Sequence, residues 1–305
     1  MKTVKNEKGM VLLLVLVVVA LLTSLITEFA FSTHVDLRLT ETFRDRTRAW
    51  YLAKGGIQAG RMILQDDRNG YDHPSEFWGI GVPSYAVGEE GVVSISLIDL
   101  DARMNLNRIV SAGRQNPNVP IYDSFIRLFD NLGLDNPNAL ADALVDWIDV
   151  DDSPRDEGAE SNDYQRLEQP YAAKNDYLDS LDELALIQGF TPEVIRQIAP
   201  FVSVFGGEAV NINTAPAEVL MAMDALELIG RAQAEEIIGH RADKPFEQAT
   251  ELNSISGLGN VLRTYFTVKS TAFQINSEGW VNDGVRRVTA VVDSDGRNIH
   301  YMKVD

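Results

Sequence analysis

The densest run of reactive side chains lies between Asp146 and Asp163, where eight carboxylates and one arginine, Arg155, fall within eighteen residues. Like charges at that density repel one another unless they are solvated or share a cation. Counted from Asp149, oxygen-bearing side chains stand at positions one (Asp149), three (Asp151), five (Ser153), nine (Glu157) and twelve (Glu160), the ligand spacing of an EF-hand loop. Pro154 occupies the sixth position, where that motif requires glycine. The spacing therefore predicts an oxygen cage of the calcium type and not a true EF-hand. Asp152 and Asp163 adjoin it, and Asn175 and Asp176 are expected to fold back toward it. A mobile, solvated acidic loop is the alternative. With no cysteine in the chain and no histidine close by, hard Ca²⁺ is favoured over zinc or copper.

Other chemistry is poorly served. The four histidines (His34, His73, His240, His300) are scattered, no Gly-x-Ser-x-Gly elbow occurs, and Gly79-Ile-Gly81 leads into Val-Pro-Ser, not a phosphate loop. Carboxylate pairs are abundant but none stands out, so the chain reads as no enzyme; a membrane-tethered calcium-dependent hydrolase is the catalytic alternative. The segment Asn211-Ile-Asn213-Thr214-Ala215-Pro216, followed by Ile255-Ser256-Gly257-Leu258-Gly259, resembles helix-hairpin-helix modules of DNA-uptake proteins. Thr214 is expected to cap a helix starting at Ala215-Pro216. Nine acids against four bases between Glu208 and Arg263 would repel a phosphate backbone, so no nucleic acid is expected, and a membrane-anchored DNA-binding protein is the alternative. The whole chain carries a net charge of -18, which argues the same way.

These features must be positioned by something, and the N-terminus shows what. An apolar run begins at Met10 and stays free of charge until Glu28. Eighteen residues at ~1.5 Å rise span roughly 27 Å, enough to cross a bilayer's hydrocarbon core. Lys2, Lys5 and Lys8 against Glu7 place the N-terminus in the cytoplasm and the bulk of the chain in the periplasm or exterior. A cleaved signal peptide would use Ala30-Phe31-Ser32, which lies late. From Thr33 to Leu64 no proline intervenes, and Val35, Leu39, Phe43, Trp50, Ala53, Ile57 and Leu64 recur at helical spacing, predicting one unbroken helix from membrane to soluble body. Leu140, Leu144, Trp147 and Ile148 form a second apolar face that anchors the start of the acidic loop. Strands are predicted at Val92–Leu100, Tyr265–Ile275, Val285–Asp293 and Ile299–Val304, with helix and loop between residues 108 and 262.

The basic leader ending in Lys8-Gly9, the anchor running into an amphipathic helix, the Asp99-Leu-Asp101 to Asn105-Leu-Asn107 strand exit, the acidic loop and Asn211 to Pro216 together resemble the K minor pseudopilins of type II secretion systems. The resemblance implies cleavage by a prepilin peptidase between Gly9 and Met10, followed by methylation of the new N-terminus. It implies an α+β pseudopilin fold, a long N-terminal transmembrane and amphipathic helix on an antiparallel sheet, with a large inserted all-α domain. The expected divisions are a leader (1–9), helix (10–66), first β region (67–107), insertion (108–262, with the metal loop at 146–163 and the hairpin unit at 208–262) and C-terminal strands (263–305).

Most pseudopilins carry glutamate at the fifth mature position, where this chain has Leu14. A carboxylate in hydrocarbon costs several kcal/mol unless paired, and a subunit with nothing ahead of it in the fibre has no amine to pair with. The resemblance thus implies the tip of a pseudopilus, a single-pass inner-membrane location and contact with the inner-membrane platform. The implied partners are the minor pseudopilins I and J above a shaft of major pseudopilin G, the implied ion is structural Ca²⁺, and the implied work is to initiate assembly and support protein export.

Overall fold

The computed structural model describes residues 7–258 and 263–305. Lys2 and Lys5 of the expected leader, Gly259 of the hairpin and the expected domain end at 262 lie outside the described residues.

Helix α1, Glu7–Asp66, runs for 60 residues and contains both Gly9 and Met10. Thr23, Thr27 and Thr33 donate their hydroxyls to carbonyls four residues back at 2.8–2.9 Å, which satisfies these polar hydrogens within the helix. Residues 9–40 are exposed on every side. Beyond Asp45 the helix lies on the sheet and buries Ala49, Ala53, Ile57 and Leu64. Glycine is needed there: a Cβ on Gly56 would come within 2.0 Å of Ser277 Oγ, and one on Gly60 within 2.6 Å of Ile275 Cγ2.

After α1 come a short α2 (Phe77–Ile80) and strands β1 (Val82–Val87) and β2 (Gly91–Asp99). The chain then leaves the sheet for β3 (Met104–Asn105), α3 (Val119–Asn131), α4 (Pro137–Ile148), α5 (Ser161–Tyr164), α6 (Pro192–Ile198), β4 (Val202–Ser203), β5 (Val210–Asn211), α7 (Ala217–Met223), α8 (Arg231–Asp243) and β6 (Phe266–Thr267). It returns as β7 (Ala272–Val281), β8 (Gly284–Asp293) and β9 (Ile299–Val304). The antiparallel sheet has the order β1-β2-β7-β8-β9, with Asp99 opposite Phe273 and Gly91 opposite Val281.

Three expectations need correction. The stretch before Gly88 contains an edge strand, β1, whose side chains are nearly all exposed. It lacks the apolar alternation that marks a half-buried strand. The strand expected at Tyr265–Ile275 begins at Ala272, because Phe266 and Thr267 pair in parallel with Val210 and Asn211 inside the insertion. Thr214 caps no helix: α7 starts after Pro216, and the Thr214 hydroxyl donates to Asp99 Oδ2 at 2.5 Å.

The insertion is built from one unit used twice. In the first copy the Asn107 amide donates to Asn105 Oδ1 at 3.0 Å, and in the second the Asn213 amide donates to Asn211 Oδ1 at 2.9 Å. Asn107 then brackets the backbone of Leu178, giving Nδ2 to its carbonyl at 2.9 Å and accepting its amide at 2.8 Å. Asn213 brackets Phe246 in the same way, both bonds at 2.9 Å. Five residues beyond each bracketed position stands a glutamate, Glu183 or Glu251, whose Oε1 accepts two successive amides at the start of a six-residue 3-10 helix. Leu184 and Leu252 are buried there, and Gly189 and Gly257 close each turn with φ of 86° in the left-handed region. Each copy ends in a strand paired in parallel with its own first strand, β3 with β4 and β5 with β6. Helix α3 meets α7 across the two copies, and one apolar core fills both.

Where the insertion joins the sheet, the connection is polar and buried. Asn211 Nδ2 lies 3.0 Å from each of the Asp72 carbonyl, Asp99 Oδ2 and Ser270 Oγ. The Asp101 carboxylate accepts the amides of Gly207 and Thr271 and the Thr271 hydroxyl. Replacing Asn211 leaves a buried carboxylate, a carbonyl and a hydroxyl short of a partner, and hydrogen bonds to charged groups are each worth ~1.5–3 kcal/mol. Asn211→Ala should therefore destabilise the chain by about 2–4 kcal/mol in chemical denaturation. Ser96→Ala, on an exposed sheet position, should stay within about 0.5 kcal/mol of the parent.

Candidate metal centre

Helix α4 ends at Ile148 because the backbone becomes extended at Asp149 (φ -69°, ψ 174°). Its last turn is fixed by Trp147, whose ring meets Tyr164 edge-on at 5.2 Å and Tyr171 at 6.2 Å. These rings tie the far end of the acidic loop to its start. The Asn175 amide donates to the Trp147 carbonyl at 3.0 Å, and Arg114 Nη1 donates to the Asn175 carbonyl at 2.5 Å. Asn175 sits at φ 49°, a left-handed position that asparagine tolerates better than most residues.

The fold brings Asp149, Asp151 and Glu160 together, with one carboxylate oxygen of each within 4.8 Å of the others. Glu160 is 1% exposed and Asp149 6%. Buried carboxylates normally find hydrogen-bond donors. Here Asp149 Oδ1, both carboxylate oxygens of Glu160 and the side-chain oxygen of Asn175 have no partner of good geometry. Asn175 is held at this cluster by its Nδ2, which donates to the Asp151 carbonyl at 3.3 Å and to Asp152 Oδ1 at 3.4 Å.

The remaining expected donors are paired elsewhere or exposed to solvent. Asp163 accepts the Glu160 amide and pairs with Arg166 at 3.3 Å. Glu157 is exposed, and its amide donates to Asp142. Ser153 is exposed, and its amide donates to Asp151 Oδ1 at 2.8 Å. Asp176 pairs with Arg114 at 2.9 Å.

Two residues that the loop spacing does not single out form the floor. Asp146 is fully buried and accepts the Arg155 amide at 3.1 Å, while Asp142 holds the Arg155 guanidinium and the Tyr122 hydroxyl. A Cβ on Gly158 would fall 1.9 Å from Asp146 Oδ2, so glycine lets the loop close over that acid. Two acids at i and i+4 on an otherwise apolar helix were the available signal.

Burial, then the charges of Asp146 and Asp149, pushes the Glu160 carboxyl up to about 8. Burial, aided by Asp149, raises Asp146 to about 7, and burial with Asp151 raises Asp149 to about 6. Without a cation this site favours bound protons, and four unpartnered oxygens are of the type a hard divalent ion such as Ca²⁺ accepts, water completing its shell. Because these folded-state values lie above those of free carboxyls, protons favour the folded loop and compete with an ion. Ca²⁺ affinity of the full chain, measured by titration calorimetry, is expected to rise from pH 6 to pH 8 with proton release on binding. Equal affinity and no proton release across that window would refute the cage.

The family description "Type II secretion system (T2SS), protein K" matches the chain twice, over residues 102–207 and 210–276, so that each match covers one repeated unit and the two take in more than half of the chain. The chain is 29% identical over 301 residues to the type II secretion system protein K of Pseudomonas aeruginosa, covering 94% of this chain and 88% of that protein. It is 25% identical over 327 residues to the protein K of Aeromonas hydrophila, covering 95% and 94%. A crystal structure of the GspK-GspI-GspJ complex from the enterotoxigenic Escherichia coli type 2 secretion system contains a chain of the same fold, with a TM-score of 0.68, 19% identity, and coverage of 90% of this chain and 99% of that one. By the two matched units and the fold that carries them, the chain belongs to the type II secretion system protein K family.

Proposed function

We propose that this chain is the minor pseudopilin that caps a type II secretion pseudopilus, initiating its assembly and so supporting protein export. One observation carries the reading: a long insertion, 155 residues by the 108–262 division, stands between neighbouring strands β2 and β7 of a helix-on-sheet scaffold. Such a mass would collide with neighbours inside a tightly wound shaft, and an end has room for it. The naked part of α1 agrees. No acid precedes Glu28 in the apolar stretch, Leu14 stands where a paired carboxylate would be, and residues 9–40 have no cover within the chain.

In this reading a prepilin peptidase cuts between Gly9 and Met10, the new N-terminus is methylated, and α1 crosses the inner membrane with the body in the periplasm. The chain joins the I and J minor pseudopilins, the partners named for the solved complex of its structural relative, above the major pseudopilin G and against the inner-membrane platform. Its work is assembly, with no catalytic step. Asp149, Asp151, Glu160 and Asn175 would hold Ca²⁺ as a cross-link between the two ends of the loop. Nucleic acid is no partner: 108–262 holds ten basic and 27 acidic residues, so all but one of the chain's 18 net negative charges reside there.

Full-length chain extracted from membranes in detergent should co-purify with the I and J minor pseudopilins as a ternary complex. Its native N-terminus, read by mass spectrometry, should be a methylated Met10. Recovery of an I–J pair without this chain would overturn the assembly role, and an N-terminus at residue 33 would overturn the retained anchor.

A further inference from the structure

The two repeated units differ most at one place. In the second, two residues, Lys244 and Pro245, carry the chain from the end of α8 to the bracketed Phe246. In the first, 29 residues, 149–177, carry it from the end of α4 to the bracketed Leu178. The brackets are alike bond for bond, so the gap that the long segment crosses is one that two residues close in the sister unit. The metal loop is an addition to a unit whose architecture does not require it.

The contacts that hold the unit together make the same point. Leu178 is fixed by Asn107, the following turn by Glu183, and the core by Leu184, Ile187 and Phe190; none involves Asp149, Asp151 or Glu160. The ends of the loop are also pinned without a cation, by Asn175 to Trp147 and by the Val150 amide to the Arg114 carbonyl at 3.0 Å. The middle of the loop packs Ala159 and Tyr164 on the core and lays Arg155 on Asp142 and Asp146. Its acids are the exception: Glu160, 1% exposed, has two oxygens without a partner of good geometry, one of them within 4.8 Å of carboxylate oxygens of Asp149 and Asp151.

We propose that the 149–177 segment is a cation-ordered surface element grafted onto a self-sufficient repeat: a divalent ion fixes the shape of this one face, and the two-unit core folds without it. The proposal rests on the cage reading of Asp149, Asp151, Glu160 and Asn175. It assigns the ion a place in presenting a surface and removes it from the folding of the domain. Loss of the ion should act as local unfolding confined to the graft.

The test is amide hydrogen exchange on the full-length protein in detergent, with CaCl₂ and with EGTA. Chelation is expected to speed exchange at least tenfold within 150–176 and to leave α3, the 181–198 segment and the second unit unchanged. Glu160→Gln should show the fast loop in both buffers. Acceleration throughout α3, α4 and the second unit on chelation would overturn the graft while leaving the cage intact. No response to calcium anywhere, with no heat of binding, would instead overturn the cage and this proposal with it.

Discussion

The structure depends on a buried polar clasp that closes a very long loop. Strands β2 and β7 are neighbours, yet Asp101 and Thr271, which join just beyond their paired ends, lie 170 positions apart in the chain. Closure entropy grows only with the logarithm of loop length, so a large insertion is tolerable if its two ends are fastened. The fastening is two aspartates at the exit of β2. Asp99 takes Asn211 and Thr214 from the second unit, and Asp101 takes Gly207 from the join between the two units and Thr271 from the return path. Lys269 adds an ion pair to Asp67 and to buried Asp72 at 2.8 and 2.9 Å, which ties the end of α1 to the same point. Burial raises Asp99 to about 6 and Asp72 to about 7, and the donors gathered on them, Asn211 and Thr214 on Asp99 and Lys269 on Asp72, oppose that rise.

Because both ends of the insertion are clamped at one corner of the sheet, the scaffold and the insertion carry separate duties. The scaffold, α1 with five strands, is nearly neutral; the insertion is strongly acidic. The division suits the proposed place at a fibre's end: an α1 lying among neighbours needs little net charge, since like charges repel along a shared axis, and a domain facing solvent at an end has no such restriction.

Much of this was legible in the sequence where a local rule operates. The apolar start of α1, its unbroken length and strands β2, β8 and β9 follow from hydropathy, from the absence of proline and from β-branched and aromatic patterning. The acidic loop was legible as a density of charge, but its EF-hand spacing described only part of the convergence. Asp149, Asp151 and Glu160 meet, whereas Glu157 and Ser153 face solvent, because the chain turns around buried Asp146. β1 escaped notice because an exposed edge strand has no apolar face, and Thr214 was misread because its partner, Asp99, is 115 positions away.

The duplication was the least legible feature, although its traces are short and regular: Met-Asn-Leu-Asn at 104–107 against Val-Asn-Ile-Asn at 210–213, and Glu-Leu-x-x-Ile-x-Gly at 183–189 against 251–257. Between those traces the copies are of unequal length, 71 positions from Asn107 to Leu178 against 33 from Asn213 to Phe246, so no fixed period exists to be seen. What survives in both copies is the set of residues with no substitute. An asparagine that must both give and take a hydrogen bond from one backbone position has no isostere among the other side chains, and a turn at φ 86° accepts little besides glycine. Helix lengths and connecting loops answer to no such constraint, and the acidic loop stands at a position where the sister unit needs only two residues.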